Sequence, residues 1–565
     1  MSTRAMSEGT HSYSIKSETL VSNCNRSEES TEDSVRLSGT EAHRSGDLVK
    51  ILTQHFEPED AIRMNANMEK TETFRSGHES APNRSIISRI FTNKPNGGID
   101  LPPDGGYGWI CCICVTLIMF STWGANCAFG VYLAYYFNNG VFEGASKYDY
   151  ALVAGMTVAF GQGMAPMALF LTRVMGCKGP MYIGITFMFL GLLLATFATK
   201  LWQLYLTQGV LIGISNALLY APATTILPGW FLKKRSLALG FSLTGTGAGG
   251  VTYSMTVSKL IQETGDQRWP LRVMAIACTL TSIVATLLLR QKNPIQPCGY
   301  KSWTAIKEQF HIIFSMRVAT MYNVELVAVW FAFALFGYNL MVFTLSPYAV
   351  AKGLSPDQAA LLTTCLNAAQ CVGRPSMGYL GDRFGRINIT VTLTTVLTIF
   401  TFAFWLTCHN FVQLLFFSIC IGSCVGVANV MSTVLIADSV HSEDFLPAWS
   451  FVNSLGSPFL LVCEVIAQSL TNPTNRANPY LHTQVFAGLC FFCALMLILL
   501  LREISVRLKL ETTVRSRPSS IGVYESDSDQ QAAHSELDEK HSMHTALLEK
   551  GPRRFLERMF HVTKV

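Results

Sequence analysis

Arg374 is the residue whose type and setting best suit it for chemistry. It precedes Pro375 and is the one charged residue between 358 and 380. A guanidinium in an apolar run is costly in hydrocarbon, so it should face the protein interior and meet an anion. Its planar fork suits a carboxylate, held by two parallel hydrogen bonds. An internal ion pair, or a reach toward the nearer membrane surface, are its other uses. Gln370 and Asn367 precede it on the same helical face, where they could hydrogen-bond a solute or orient Arg374. Asn126, Tyr338 and Asn339 are further polar groups in apolar runs. Singly such groups serve as interhelical hydrogen bonds, but together they allow a polar central cavity, with Asn126 on the opposite wall. Glu464, between Cys463 and Val465, could carry a proton or hydrogen-bond a neighbouring helix. No P-loop, HExxH or GxSxG occurs, so no catalytic residue, metal site or cofactor is expected. Gly245-Thr-Gly247-Ala-Gly249-Gly250 matches a nucleotide fingerprint by letters, but it lies in an apolar helix and reads as helix packing.

The elements that must position these groups are long apolar segments. About twelve stretches of roughly twenty residues or more match the ~30 Å hydrocarbon core of a bilayer. Lipid offers the backbone no partner, so they should be helices. They fall near 107–136, 150–174, 180–199, 201–231, 236–260, 271–289, 321–349, 358–380, 387–408, 412–437, 448–470 and 482–501. The chain is 49% hydrophobic and only 14% charged, against ~25% charged for soluble proteins. The net charge of +5 is too small to suggest nucleic acid as a partner. Most of the sixteen cysteines lie in the apolar spans, where free Cys packs as a small hydrophobe. The first residues carry no apolar h-region, so no cleaved signal peptide is expected.

The polar break at 290–320 divides the spans six and six. The expected organisation is a disordered tail at 1–102, a six-helix half at 103–289, a linker at 290–320, a second half at 321–502 and a disordered tail at 503–565. Within the first tail, residues 86–91 form a short apolar patch that could lie on a membrane surface. Lys and Arg are richer in the loops on the side of the N-terminus, which predicts both termini in the cytosol. The sequons at Asn25, Asn83 and Asn388 would then all lie inside.

Gly378-Tyr-Leu-Gly-Asp382-Arg383-Phe-Gly385-Arg386 joins spans eight and nine. It resembles in full the loop signature of the major facilitator superfamily, with Gly378, Asp382, Arg383 and Arg386 as a conformational latch. The equivalent first-half loop, Leu171 to Lys178, lacks the acid, so the second half should hold the stronger latch. Asp104-Gly105-Gly106-Tyr107-Gly108-Trp109 opens span one. Asp104 suits a helix N-cap, and Tyr107 and Trp109 suit the interfacial aromatic belt. This hexapeptide resembles a signature of the monocarboxylate transporter family. A second family signature is similar to Trp230-Phe231-Leu-Lys-Lys-Arg235-Ser-Leu-Ala-Leu-Gly240, and the text around Asn126 resembles the fungal branch. The resemblance implies an all-α membrane fold of twelve helices in two six-helix halves. It also implies a binding role for Arg374. Where family members often carry a titratable Asp this chain has Gln370, and where animal members carry a lysine it has Cys127.

These features lead to secondary transport of a small organic solute by alternating access, with a monocarboxylate or similar anion as solute and a proton as candidate co-substrate. The alternatives are a riboflavin-like or other neutral solute, and a non-conducting sensor on a transporter scaffold. The expected membrane is the plasma or vacuolar membrane. The Ser-rich tails suit a regulatory kinase or ubiquitin ligase.

Overall fold

The computed structural model describes residues 102–294, 296–299, 302–472, 478–515, 542–549 and 551–561. The expectations for the first tail, Pro102 apart, fall outside these, as do the 86–91 patch and the sequons at Asn25 and Asn83. Every regular element among the described residues is helical, the form in which an apolar segment satisfies its own backbone. Among the described residues nine helices are long and apolar enough to cross a membrane. They are span 1 (Tyr107–Tyr136), span 3 (Lys178–Ala195), span 4 (Leu201–Trp230), span 6 (Arg268–Leu288), span 7 (Tyr322–Ala351), span 9 (Arg386–Trp405), span 10 (Phe411–Ser439), span 11 (Phe445–Ser469) and span 12 (Leu481–Thr512). Span 2 is a bent pair, Lys147–Gly163 and Ala165–Met175, meeting at 43°. Pro166, near the start of the second piece, has no N–H to continue the first.

Spans 5 (Arg235–Thr264, 30 residues) and 8 (Pro356–Phe384, 29 residues) are long enough but less apolar. They pack against each other, so their Gly, Ser, Thr and Arg faces meet protein rather than lipid. The Gly245–Gly250 run is helix packing: a Cβ on Gly245 would strike the Thr116 carbonyl, and one on Gly247 the Asn367 carbonyl. Spans 5 and 8 thus form one seam between the halves. Spans 2 and 11 form the other, where Gly155 abuts the Leu461 carbonyl and Ser457 Oγ donates to the Ala159 carbonyl at 2.8 Å.

Helix ends define two faces. Tyr107 Oη donates to the Leu288 carbonyl at 2.6 Å, so spans 1 and 6 meet at what is here called the Tyr107 face. Tyr205 Oη donates to Asp149 at 2.9 Å, bringing the starts of spans 2 and 4 together at the opposite, Lys147 face. Among the described residues three π-helical turns interrupt the spans: Phe120–Gly124 in span 1, Tyr205–Leu211 in span 4 and Phe400–Trp405 in span 9.

The segment between the halves contains helices Trp303–Ile313 and Met316–Ala319. The last spanning helix runs on to Arg515, and a helix at Pro552–Phe560 packs back on it. Arg558 donates to Glu503 at 2.6 Å with both side chains buried, and Val506, Leu510 and Leu547 cluster beside them. These parts of the expected C-terminal tail are therefore ordered helix, because a buried ion pair and an apolar cluster offset the entropy of docking.

Candidate functional site

Arg374 is 1% exposed, on the span 5–span 8 seam. Its Nη1 donates across the seam to the Leu243 carbonyl at 2.6 Å. Nη2 donates to Gln370 Oε1 on its own helix, and Nε has no partner. Among the described residues no carboxylate pairs with it. Tyr338 of span 7 stands beside both Arg374 and Gln370. Asn367 accepts from Gln370 Nε2 at 3.3 Å. Four of the sequence-selected residues thus form one cluster: Arg374, Gln370, Asn367 and Tyr338.

The others lie elsewhere. Asn339 Nδ2 donates to the Leu335 carbonyl one turn back at 2.9 Å. Asn126 lines a cavity inside the first half. Its neighbour Cys127 instead reaches the seam, where it and Asn367 both lie against Gly250. Glu464 is buried in span 11, and its Oε2 has no partner.

At the Tyr107 face, charges tie the halves together. Asp382 accepts from the Ser236 and Leu237 amides at 3.2 and 2.9 Å, the first-turn donors of span 5. Arg386 donates to Asp382 at 3.1 Å, to Asp438 at 2.6 Å and to the Leu232 carbonyl at 2.7 Å. Arg235, known from sequence only as a signature residue, donates to Asp438 at 2.6 Å. Asp438 therefore joins one arginine from each half. Gly378 brings span 8 against the Ser236 carbonyl, and Gly240 brings span 5 against the Arg374 carbonyl. Arg383 does not join: it is exposed, with Tyr379 Oη at 3.4 Å and Phe384 as its neighbours.

The two signature segments form one joint. Span 1 starts with Gly106 as its N-cap residue. Asp104, expected to cap that helix, instead accepts from the Leu232 and Lys234 amides at 2.7 and 3.2 Å, in the turn before span 5. It adopts φ 52° to do so, a left-handed conformation that Asp tolerates better than most non-glycine residues. Trp109 packs edge-on to Phe231 at 5.0 Å between ring centres. Asp104→Ala should lower stability by about 0.5–2 kcal/mol, the usual worth of a capping side chain, read as a lower unfolding temperature in detergent.

One constellation escapes the sequence reading. Tyr220 Oη lies 2.7 Å from both Gln162 Oε1 and Asn453 Oδ1, linking spans 2, 4 and 11 across the halves. Trp123 and Trp449 flank the ring at 5.6 and 5.5 Å. Tyr220 and Asn453 are legible as polar groups in apolar runs. Gln162 carries the same signal but is missed.

The arrangement is two helix bundles with a buried, acid-free guanidinium on one seam, a neutral polar bridge on the other and a charged clasp at one face. The Major Facilitator Superfamily model matches residues 111–355 and again 327–533, once per half with overlap. The uncharacterized transporter ESBP6 of Saccharomyces cerevisiae is 49% identical over 94% of this chain and 81% of its own. The probable transporter MCH2 of the same yeast is 31% identical over 74% of this chain and 88% of its own. Among solved structures, the Major Facilitator Superfamily transporter FucP in its outward conformation matches 70% of this chain and 99% of its own, with TM-score 0.52 and 14% identity, a likeness of fold alone. This chain belongs to the Major Facilitator Superfamily and is a multi-pass membrane transporter, not an enzyme.

Proposed function

We propose that this transporter moves a small organic carboxylate, such as a monocarboxylate, by alternating access, with Arg374 as the anion anchor. The observation that carries this reading is a guanidinium at the meeting line of the halves, 1% exposed, with an unpartnered Nε and, among the described residues, no acid paired with it. A buried cation without a counter-charge is expensive, and a solute carboxylate would supply the missing charge. Gln370, held by Asn367, fixes the guanidinium, and Tyr338 closes the cluster from span 7. Rocking of the halves would break the Leu243 contact and open the seam to the solute.

In this reading the Tyr107 face is cytoplasmic, as the Lys and Arg bias predicts, and both termini are there. The Asp438 clasp then closes the cytoplasmic side. The deciding experiment is uptake of a radiolabelled solute panel into reconstituted vesicles, with and without an imposed pH gradient. Saturable uptake of short carboxylates, outcompeting flavins and neutral sugars, is expected. Uptake confined to neutral solutes would remove the reading.

Glu464 is the proton site in this proposal, since it is a buried carboxyl with a free oxygen and no ion-pair partner among the described residues. Glu464→Gln should abolish stimulation of uptake by an inward proton gradient. Carboxylate exchange at equal pH should continue within about threefold. A variant that still accumulates solute against its gradient when protons are supplied would assign the coupling elsewhere.

A further inference from the structure

A cavity of about 40 Å³ lies wholly inside the first half, between spans 1, 2, 3, 4 and 6. At one water per 10–15 Å³ of such volume it has room for about three waters, or one solute of similar bulk. None of the Arg374 cluster lines it. In its wall Gln208 Oε1 and Asn216 Nδ2 are buried without a partner, and the buried Ser121 Oγ has only Tyr253 beside it. All three residues are at most 5% exposed. Each such atom left unpaired is a cost that an apolar residue of similar size would avoid. Two of the three π-helical turns open here: the turn in span 1 carries Ser121, and the turn in span 4 carries Gln208. Such turns insert one residue and re-aim the side chains around it, and they concentrate at functional sites.

We propose that this cavity is a second binding site, for a small uncharged solute whose head group donates and accepts hydrogen bonds at one carbon. A primary amide and an undissociated short carboxylic acid both present that head. Gln208 Oε1 would accept from its N–H or O–H, Asn216 Nδ2 would donate to its C=O, and Ser121 can do either. The remaining wall, with Met188, Leu192 and Met274, receives a short apolar tail. Among the described residues no Lys, Arg, His, Asp or Glu lines the cavity, so an ionised carboxylate finds no counter-charge there. This site and the Arg374 anchor therefore take different charge states.

The test is thermal unfolding of the full chain in nanodiscs, titrated with propanamide. A saturable rise in unfolding temperature is expected for the unmodified protein and for Arg374→Gln. The rise should vanish in Asn216→Leu and in Gln208→Met, and should not occur with N,N-dimethylpropanamide, which lacks the donor. Propionic acid should compete with propanamide at pH 5 and not at pH 8, which separates the acid form from the anion. No saturable rise in the unmodified protein would overturn the proposal and leave the cavity to water. A rise that persists in a folded Asn216→Leu or Gln208→Met variant would overturn it equally. If Asn216→Leu does not fold, Gln208→Met decides alone. Carboxylate uptake that depends on Arg374 is untouched by any of these outcomes.

Discussion

Arg374→Gln is expected to abolish carboxylate uptake while leaving the protein at least as stable as before. The two halves of that result have one cause. Losing one member of a buried charge pair costs about 2–5 kcal/mol in binding, or roughly 30-fold or more in affinity. In the empty protein, however, the guanidinium has no acid partner among the described residues, and its Nε is unsatisfied. Removing an uncompensated buried charge relieves a desolvation cost. Against this stands the loss of the donors to the Leu243 carbonyl and to Gln370, which glutamine can replace in part. A purely structural arginine would behave oppositely, with a falling unfolding temperature that accounts for lost uptake. Arg374→Lys refines the test. It keeps the charge and loses the fork, so one of two charge-assisted bonds should go, about 1.5–3 kcal/mol. Uptake at low solute concentration should fall by about ten- to a hundred-fold, mainly through a raised KM. Normal uptake by both variants would remove the anchor from Arg374.

How much of this was legible beforehand differs by feature, for physical reasons. The spans were legible because a bilayer imposes a length of apolar chain that little else imitates. Spans 5 and 8 carry that signal more weakly but were still found, at 236–260 and 358–380: they are buried against protein, so lipid constrains their composition less. The tie between Arg374 and Gln370 follows from their spacing of four on one helix. Its bond to Leu243, 131 residues away, depends on how the halves dock, and no local pattern encodes that. Asp104 shows the same limit more sharply. Its type predicted a helix cap, and it does receive helix-start amides, but those of the turn before span 5. Asn126 lies in the first-half cavity rather than opposite Arg374, and Cys127 reaches the seam; the π-helical turn just before them shifts the helical phase of span 1. Asp438 meets Arg235 and Arg386, which lie far from it in the chain, so no local pattern encodes that shared contact either.

Asp438→Asn is expected to open the Tyr107 face, with a larger conformational effect than any other change at the clasp. Asp438 is the shared anion of Arg235 and Arg386, at 2.6 Å from each. Asparagine keeps the shape but not the charge. Arg386 would retain Asp382 and the Leu232 carbonyl, while Arg235 would keep the Phe231 carbonyl and exchange its ion-pair partner for a neutral amide oxygen. Losing a charged hydrogen bond of this kind costs about 1.5–3 kcal/mol, which shifts a two-state equilibrium by roughly ten- to a hundred-fold. The Arg235 part of the loss is felt only when the halves are closed at that face, because that contact spans them. The Arg386 part lies within the second half and weakens it in either state, so the shift between closed and open comes from Arg235. Spin labels at Lys233→Cys and Arg383→Cys, both exposed at that face, would report it by pulsed-EPR distances in a background depleted of native cysteines. A new, longer distance population is expected in Asp438→Asn. Arg383→Ala, with labels at Lys233 and Phe384, should leave the distribution unchanged, since Arg383 touches only its own helix and its neighbouring ring. Identical distributions with and without the Asp438 charge would mean that the halves are held at this face by the apolar seam alone.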